Sequence, residues 1–97
     1  MLRDAGIHGW VANRKVVVDG VTYFIDVAFD AEMVAIEMDG FETHGRWEAF
    51  HHDREKWVAL ATAGWQTLAY TAQTKDTLLD TLPKVLTQRR RLFNVSA

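Results

Sequence analysis

The apolar residues in the first half of the chain follow the alternating pattern of β-strands. A short run at Val16–Val18 ends at Asp19-Gly20, a dipeptide typical of a tight hairpin turn. Two longer runs, Val21–Phe29 and Met33–Asp39, predict a second and a third strand. The first half is therefore predicted to form three strands in succession.

In the second half, apolar residues recur at spacings of three and four, which is typical of an amphipathic helix. Because a helix separates the third strand from the fourth, these two strands are predicted to be parallel. A glycine at position 6 suits the end of a preceding helix, and Pro83 is predicted to break or kink the last one. The predicted elements are a helix stub at Met1–Ala5, a helix at Trp47–Ala63 that Gly64 ends, a strand at Trp65–Tyr70 and a helix from Lys75 to about Phe93.

The order of elements, helix stub-β-β-β-α-β-α, predicts an α/β fold. Helices would flank a mixed four-stranded sheet in a small sandwich. The 97 residues are enough for one domain, 1–97, and too few for two. A composition of 48% hydrophobic and 25% charged residues excludes an intrinsically disordered chain.

Charge and cysteine content narrow the classes of function. The chain has no cysteine, which excludes a disulfide framework and a thiolate metal site. No apolar run approaches the ~20 residues of a transmembrane helix, and no signal-peptide pattern is present. We therefore expect no membrane partner and a cytoplasmic location. A net charge of −2 argues against nucleic-acid binding by bulk positive charge alone.

The second and third predicted strands carry carboxylates in apolar surroundings. Alternation places Asp26 on one face of its strand and Ile25, Val27 and Phe29 on the other. A tight turn at Ala31-Glu32 would set Asp26 opposite Glu37 on the next strand, with Asp39 on the same face.

Such close carboxylates repel one another unless a cation lies between them. A hard divalent cation such as Mg²⁺ suits this group of oxygens. Alternatively, Asp26 and Glu37 pair with arginines or with backbone N–H groups. The carboxylates by themselves leave both interpretations open.

A series of spaced motifs resembles a known family. Asp26, the E-x-D-G at Glu37–Gly40, His44 and the segment HDREKWVALATAGWQTLAYT resemble the very-short-patch-repair-like (Vsr-like) endonucleases of the PD-(D/E)XK superfamily. The resemblance is greater to their uncharacterised bacterial relatives and covers roughly Gly6 to Leu86. It implies a restriction-endonuclease-like fold and a metal-dependent endonuclease that hydrolyses or nicks DNA with Mg²⁺ or Mn²⁺.

The resemblance also implies roles for individual residues. Asp26 and Glu37 match metal-binding positions, and Asp39 stands where the superfamily has its usual lysine. His44 matches a histidine beside the scissile phosphate and is a candidate general base or acid. Asp53 matches an aspartate that opens a helix and is a candidate general base. Alternatively, His44 is a histidine of a surface loop, and Asp53 is an exposed helix carboxylate near Lys56.

Basic residues are the candidates for contact with DNA phosphates. Arg54 follows Asp53 in the matched motif. Two basic groups lie outside the motif, Arg14-Lys15 and Arg89–Arg91. The C-terminal group also fits a solvated helix end, where the helix dipole favours cations. The predicted nucleic-acid-binding residues are Arg54, Arg14, Lys15, Arg89 and Arg90. The alternative function is a catalytically inactive nucleic-acid-binding or protein-interaction module on the same fold.

The N-terminal helix is predicted to be unusually short. Only Leu2–Ala5 remains of a helix that carries a glutamate in many superfamily members. One turn cannot cover a sheet face, so we expect Phe24 and its apolar neighbours to be partly exposed. The expected consequence is a homodimer, or an additional N-terminal segment that completes the site.

Overall fold

Four strands and two helices form the fold in the computed structural model, which describes residues 2–38 and 47–93, with only the backbone for 47–53. The predicted α/β class and the order of the strands and main helices are confirmed. The first strand begins at Val11 rather than at Val16. The apolar pattern predicted the later start because the polar residues Asn13-Arg14-Lys15 interrupt it. The elements are β1 (Val11–Val18), β2 (Val21–Phe29), β3 (Val34–Met38), α1 (Trp47–Thr62), β4 (Gln66–Tyr70) and α2 (Lys75–Leu92).

The sheet has the order β1-β2-β3-β4 and is mixed, as predicted. Neighbouring strands β1, β2 and β3 are antiparallel, and β4 is parallel to β3. The β1–β2 hairpin turns at Asp19 and Gly20, whose φ angles are 50° and 80°. Positive φ at both residues is the type I′ geometry that Asp-Gly favours.

Two chain segments end in the same backbone motif. Gly6 donates to Arg3 O at 3.0 Å and Ile7 donates to Leu2 O at 3.0 Å. This pair of bonds has the Schellman pattern of a helix end, but residues 2–6 form a turn and not the predicted helix stub. The same bonds end α1, where Gly64 has a φ of 97° that side-chain-bearing residues rarely adopt.

Each helix covers one face of the sheet. On the α1 side, Ala28 and Ala35 pack against Leu60. On the other side, α2 continues through Pro83 without the break that proline could have caused. No helix in residues 2–38 or 47–93 is long and apolar enough to cross a membrane. The buried residues of the α2 side are Leu2, Phe29, Val34, Ile36, Leu78, Leu82, Val85 and Leu86.

The alternation of β2 breaks at Asp26. Ile25 packs in the cluster on the α1 side, whereas Val27 packs against the cluster on the α2 side. The prediction that these two residues share a face is therefore wrong. Across from Asp26, Asn13 has a φ of 53° and lies between two paired positions of β1. The register of β1 and β2 is the same on both sides of Asn13, so this break adds no extra residue to either strand.

Beyond this break, β1 and β2 continue as a two-stranded arm. The β2–β3 ladder of the described residues ends at Val27↔Ile36, while β1 and β2 stay paired to Val18↔Val21. Phe24 on this arm is 55% exposed and Val17 is 58% exposed. The predicted exposure of Phe24 is confirmed.

Candidate functional site

Glu37 is a buried carboxylate on the face of β3 that α1 covers. It is 6% exposed and follows the small buried residue Ala35 on the same face. From α1, Lys56 reaches down to it, and the Lys56 Nζ lies 2.6 Å from Glu37 Oε1. A strand carboxylate and a helix ammonium therefore meet beneath α1.

The electrostatics of Glu37 are dominated by its burial. Removal from water raises the pKa of Glu37 from 4.5 to about 7, although the ammonium of Lys56 opposes this shift. The nearby Asp26 carboxyl raises the same pKa further. Within the described residues, Oε1 has no hydrogen bond of normal angles, so its contact with Lys56 is an ion pair. Lys56 is therefore the close partner of this buried carboxylate oxygen.

Asp26 lies beside Glu37 where β2 separates from β3. The register Val27↔Ile36, extended by one residue, sets Asp26 opposite Glu37. Its Oδ2 accepts the Met38 N–H at 3.0 Å. The predicted proximity of the two carboxylates is therefore present in the structure. The partners of the alternative interpretation are also present. Asp26 accepts a backbone N–H, and Glu37 pairs with a cation, which is a lysine rather than the expected arginine.

Tyr70 adjoins this group from β4, and no motif or spacing in the sequence pointed to it. Its Cα is paired with that of Met38, whose N–H binds Asp26. Burial raises the pKa of the Tyr70 hydroxyl, and the negative charge of Asp26 adds to the shift. Tyr70 therefore remains a protonated donor throughout the neutral range.

Lys56 is the second residue that sequence reasoning missed. We predicted it only as a surface partner for Asp53. One available signal was its spacing of four from the buried Leu60, because residues four apart share a helix face. A lysine on the buried stripe of α1 needs a counter-charge, and Glu37 supplies it.

The other predicted catalytic residues cannot be placed at this group. Asp39 and His44 lie outside the described residues. Asp53 belongs to α1, but its side chain also lies outside them. Within the described part of the chain, no group of three or more His, Cys, Asp or Glu residues could hold a metal ion.

Asp26 and Glu37 nevertheless fit a magnesium site of the solvated kind. Mg²⁺ commonly uses one or two carboxylates together with waters and a substrate phosphate. Glu37 offers the buried Oε1, and Asp26 is exposed to solvent. The ion pair with Lys56 competes for the same oxygen, so an ion would have to displace or share that ammonium.

Two of the residues predicted to contact DNA instead join parts of the fold. Arg89 donates from Nε to Glu32 O at 3.0 Å, and from Nη2 to Met33 O at 3.4 Å and Gly64 O at 2.7 Å. Arg90 donates from Nε to the buried Glu32 carboxylate at 2.9 Å. These contacts give both arginines a structural role that the sequence did not reveal.

The remaining candidates lie at separate places. Arg14 donates from Nε to both carboxylate oxygens of Asp30, at 3.1 and 3.2 Å. Lys15 is exposed beside it on β1. Arg54 stacks over the Trp57 ring at 4.6 Å from its centroid, on the helix that carries Lys56. Contact of these residues with DNA stays a prediction.

Comparison with protein-family models, with curated proteins and with solved structures finds no match to this chain. The resemblance to Vsr-like nucleases therefore stays an interpretation of the motifs. The group of side chains with perturbed electrostatics consists of Asp26, Glu37, Lys56 and Tyr70.

Proposed function

We propose that this chain is a metal-dependent DNA endonuclease that hydrolyses or nicks phosphodiester bonds. The observation that carries the proposal is the buried Glu37 carboxyl beside Asp26, because burial raises its pKa to about 7 even though Lys56 Nζ lies 2.6 Å from Oε1. Burying a carboxylate is costly, and carboxyl groups with a strongly raised pKa beside a second acid are frequent in functional sites.

Asp26 and Glu37 would hold Mg²⁺ or Mn²⁺, and Asp39 is the predicted third carboxylate. When bound, the ion supplies positive charge that stabilises the phosphate during its hydrolysis. Lys56 would then turn its ammonium from Glu37 towards a phosphate oxygen, because the ion balances the carboxylate. This exchange of partners is consistent with an ion pair that lacks hydrogen-bond angles.

Proton transfer in this proposal belongs to His44, and Tyr70 serves as a hydrogen-bond donor. His44 is the candidate general base towards water or acid towards the leaving oxygen. Tyr70, with its raised pKa, would donate a hydrogen bond near Asp26 rather than remove a proton. Arg54, two residues before Lys56 on α1, is the candidate for binding the flanking phosphate.

A second candidate function is a non-catalytic nucleic-acid-binding or protein-interaction module. The ion pair between Glu37 and Lys56 favours this alternative, since it already neutralises the buried charge within the protein. The two functions differ in what the wild-type chain does with a divalent ion.

Calorimetric titration with Mn²⁺, followed by a plasmid-nicking assay, tests the proposal. We expect the wild-type chain to bind the ion and to nick supercoiled DNA only when the ion is present. Glu37→Gln and Asp26→Asn should lose both properties, whereas Asp80→Asn, on the exposed side of α2, should retain them. Absence of Mn²⁺ binding by the folded wild-type chain would favour the non-catalytic module.

A further inference from the structure

The outer edge of β4 directs unpaired backbone groups away from the sheet. Gln66 donates its N–H to Met33 O at 2.9 Å, so its backbone faces β3. Backbone direction alternates along a strand. Thr67 and Ala69 therefore direct their N–H and C=O groups outward, and within the described residues no strand pairs with that side.

The protein itself limits this free edge at both ends. The outward N–H of Trp65 donates to Leu60 O at 2.9 Å, in the motif that ends α1. The outward N–H of Thr71 donates to Thr74 Oγ1 at 2.8 Å, before α2 begins. Four outward groups remain between these points, namely the N–H and C=O of Thr67 and of Ala69.

The two edges of the sheet differ in how they are protected. On β1, Asn13 disturbs the strand with a φ of 53°, and Arg14 and Lys15 bring charge. Bulges and basic residues are common devices that prevent edge strands from pairing. The sequence of β4, QTLAY, contains no charge, no proline and no bulge. The edge at β4 is thus the one suited to pairing.

The flanks of β4 leave room for another strand. On the α1 side, a cavity of about 180 Å³ lies between β4 and Ala61, and on the α2 side one of about 250 Å³ lies beside Thr77 and Thr81. The residues that line both cavities are uncharged, and several are small. A strand that approaches the edge would meet no repelling charge from these walls.

We propose that β4 pairs antiparallel with β4 of a second copy of this chain, about a twofold axis at Leu68. Thr67 then lies opposite the partner subunit's Ala69, and Ala69 lies opposite the partner subunit's Thr67. Directly opposed residues in an antiparallel ladder exchange both of their backbone bonds. All four free groups are satisfied in this register.

Other symmetric registers fit the edge less well. A shift of two residues in either direction brings Trp65 or Thr71 into the ladder, and the N–H groups of both are already bonded. Twofold pairing about Leu68 is therefore the arrangement that matches the number and position of the free groups. It joins two four-stranded sheets into one continuous sheet of closed symmetry.

Disulfide trapping tests the register directly, because the chain contains no cysteine of its own. On the proposed axis, the two copies of residue 68 form a non-hydrogen-bonded pair with Cα atoms ~4.5 Å apart, a separation that a disulfide can bridge. Leu68→Cys should give a covalent dimer on mild oxidation, reversed by a thiol reductant. The matched control is Val17→Cys on the exposed arm. Equal yields of cross-linked dimer from both variants would overturn the proposal.

Sedimentation equilibrium over a concentration series tests the edge without a cross-link. The wild-type chain should dimerise, and Ala69→Pro should sediment as a folded monomer, because it removes only an outward N–H. Phe24→Lys, which changes the exposed face of the arm, should remain dimeric. A monomeric wild-type chain at all concentrations, or loss of dimer only in Phe24→Lys, would contradict the proposal. If Ala69→Pro fails to fold, the cross-linking yields decide the outcome.

Discussion

Lys56 Nζ lies 2.6 Å from Glu37 Oε1, which joins the buried face of α1 to the buried face of β3. The contact balances charge, but it does not return the pKa of Glu37 to its ordinary value, because burial dominates. In a fully satisfied structural ion pair, the counter-ion would bring the pKa of the carboxyl group to its ordinary value or below. This relationship supplies the first prediction.

The contribution of Glu37 to the stability of the wild-type chain is expected to fall as pH rises from 4.5 to about 7. The raised pKa of Glu37 means that the folded state holds a proton in this range, whereas the unfolded state has released it. Stability decreases with pH wherever the folded state binds more protons. The expected loss is roughly 1–3 kcal/mol from a shift of this size, measured by urea unfolding at several pH values.

Glu37→Gln is the matched variant for this titration, since glutamine resembles the protonated acid in size. It should remove the fall in stability and be the more stable protein above pH 7. A wild-type curve that runs parallel to the Glu37→Gln curve from pH 4.5 to 8 would contradict the assigned pKa.

Much of the fold was predictable because local chemistry decided it. The type I′ turn needs positive φ at both central residues, and Asp19-Gly20 is suited to that requirement. The end of α1 needs a left-handed residue, and Gly64 provides it. The helix between β3 and β4 required a parallel crossover.

The site was predictable only in part, because its geometry depends on contacts between distant residues. Alternation brought Asp26 towards Glu37, but it did not predict the break at Asp26, which lies across the hairpin from the positive φ of Asn13. The partners of Arg89 likewise come from two distant turns. Lys56 could have been selected because it lies four residues before the buried Leu60 on one helix face. Its pairing with Glu37 could not have been predicted, since the two residues belong to different elements.

Lys56→Met is expected to tighten Mn²⁺ binding if Lys56 competes with the ion for Glu37. Removal of the competing ammonium frees the carboxylate, with an expected gain of about tenfold, the effect of one pKa unit. The same variant should nick DNA more slowly, since it lacks the ammonium proposed to meet the phosphate. Calorimetry measures the first effect and initial nicking rates the second.

Lys84→Met, an exposed change on α2, is the control for the loss of one positive charge. Unchanged Mn²⁺ affinity in Lys56→Met would show that the ion does not use Glu37 Oε1. The ion pair would then be structural.

His44→Ala is expected to leave Mn²⁺ affinity unchanged and to lower the nicking rate by about 10²–10⁴-fold, the usual contribution of a general acid or base. Its control is His8→Ala, since His8 is exposed in the segment before β1. An equal loss of ion affinity and nicking would identify His44 as a metal ligand instead.

Arg89→Met is expected to destabilise the fold, because Arg89 donates to the carbonyls of Glu32, Met33 and Gly64. These carbonyls belong to the β2–β3 turn and to the end of α1, so one guanidinium holds both against α2. Met33 O keeps the N–H of Gln66, but the carbonyls of Glu32 and Gly64 lose the guanidinium, which should cost roughly 2–4 kcal/mol in the free energy of unfolding.

Urea unfolding of Arg89→Met and Arg91→Met separates this role from a general loss of positive charge. Arg91 is exposed near the end of the same helix, so its replacement should change the free energy of unfolding by less than about 0.5 kcal/mol. If both variants lost little stability and both lost DNA binding equally, Arg89 would belong to a phosphate-binding surface. A large loss of stability in Arg89→Met alone follows from the three carbonyl bonds.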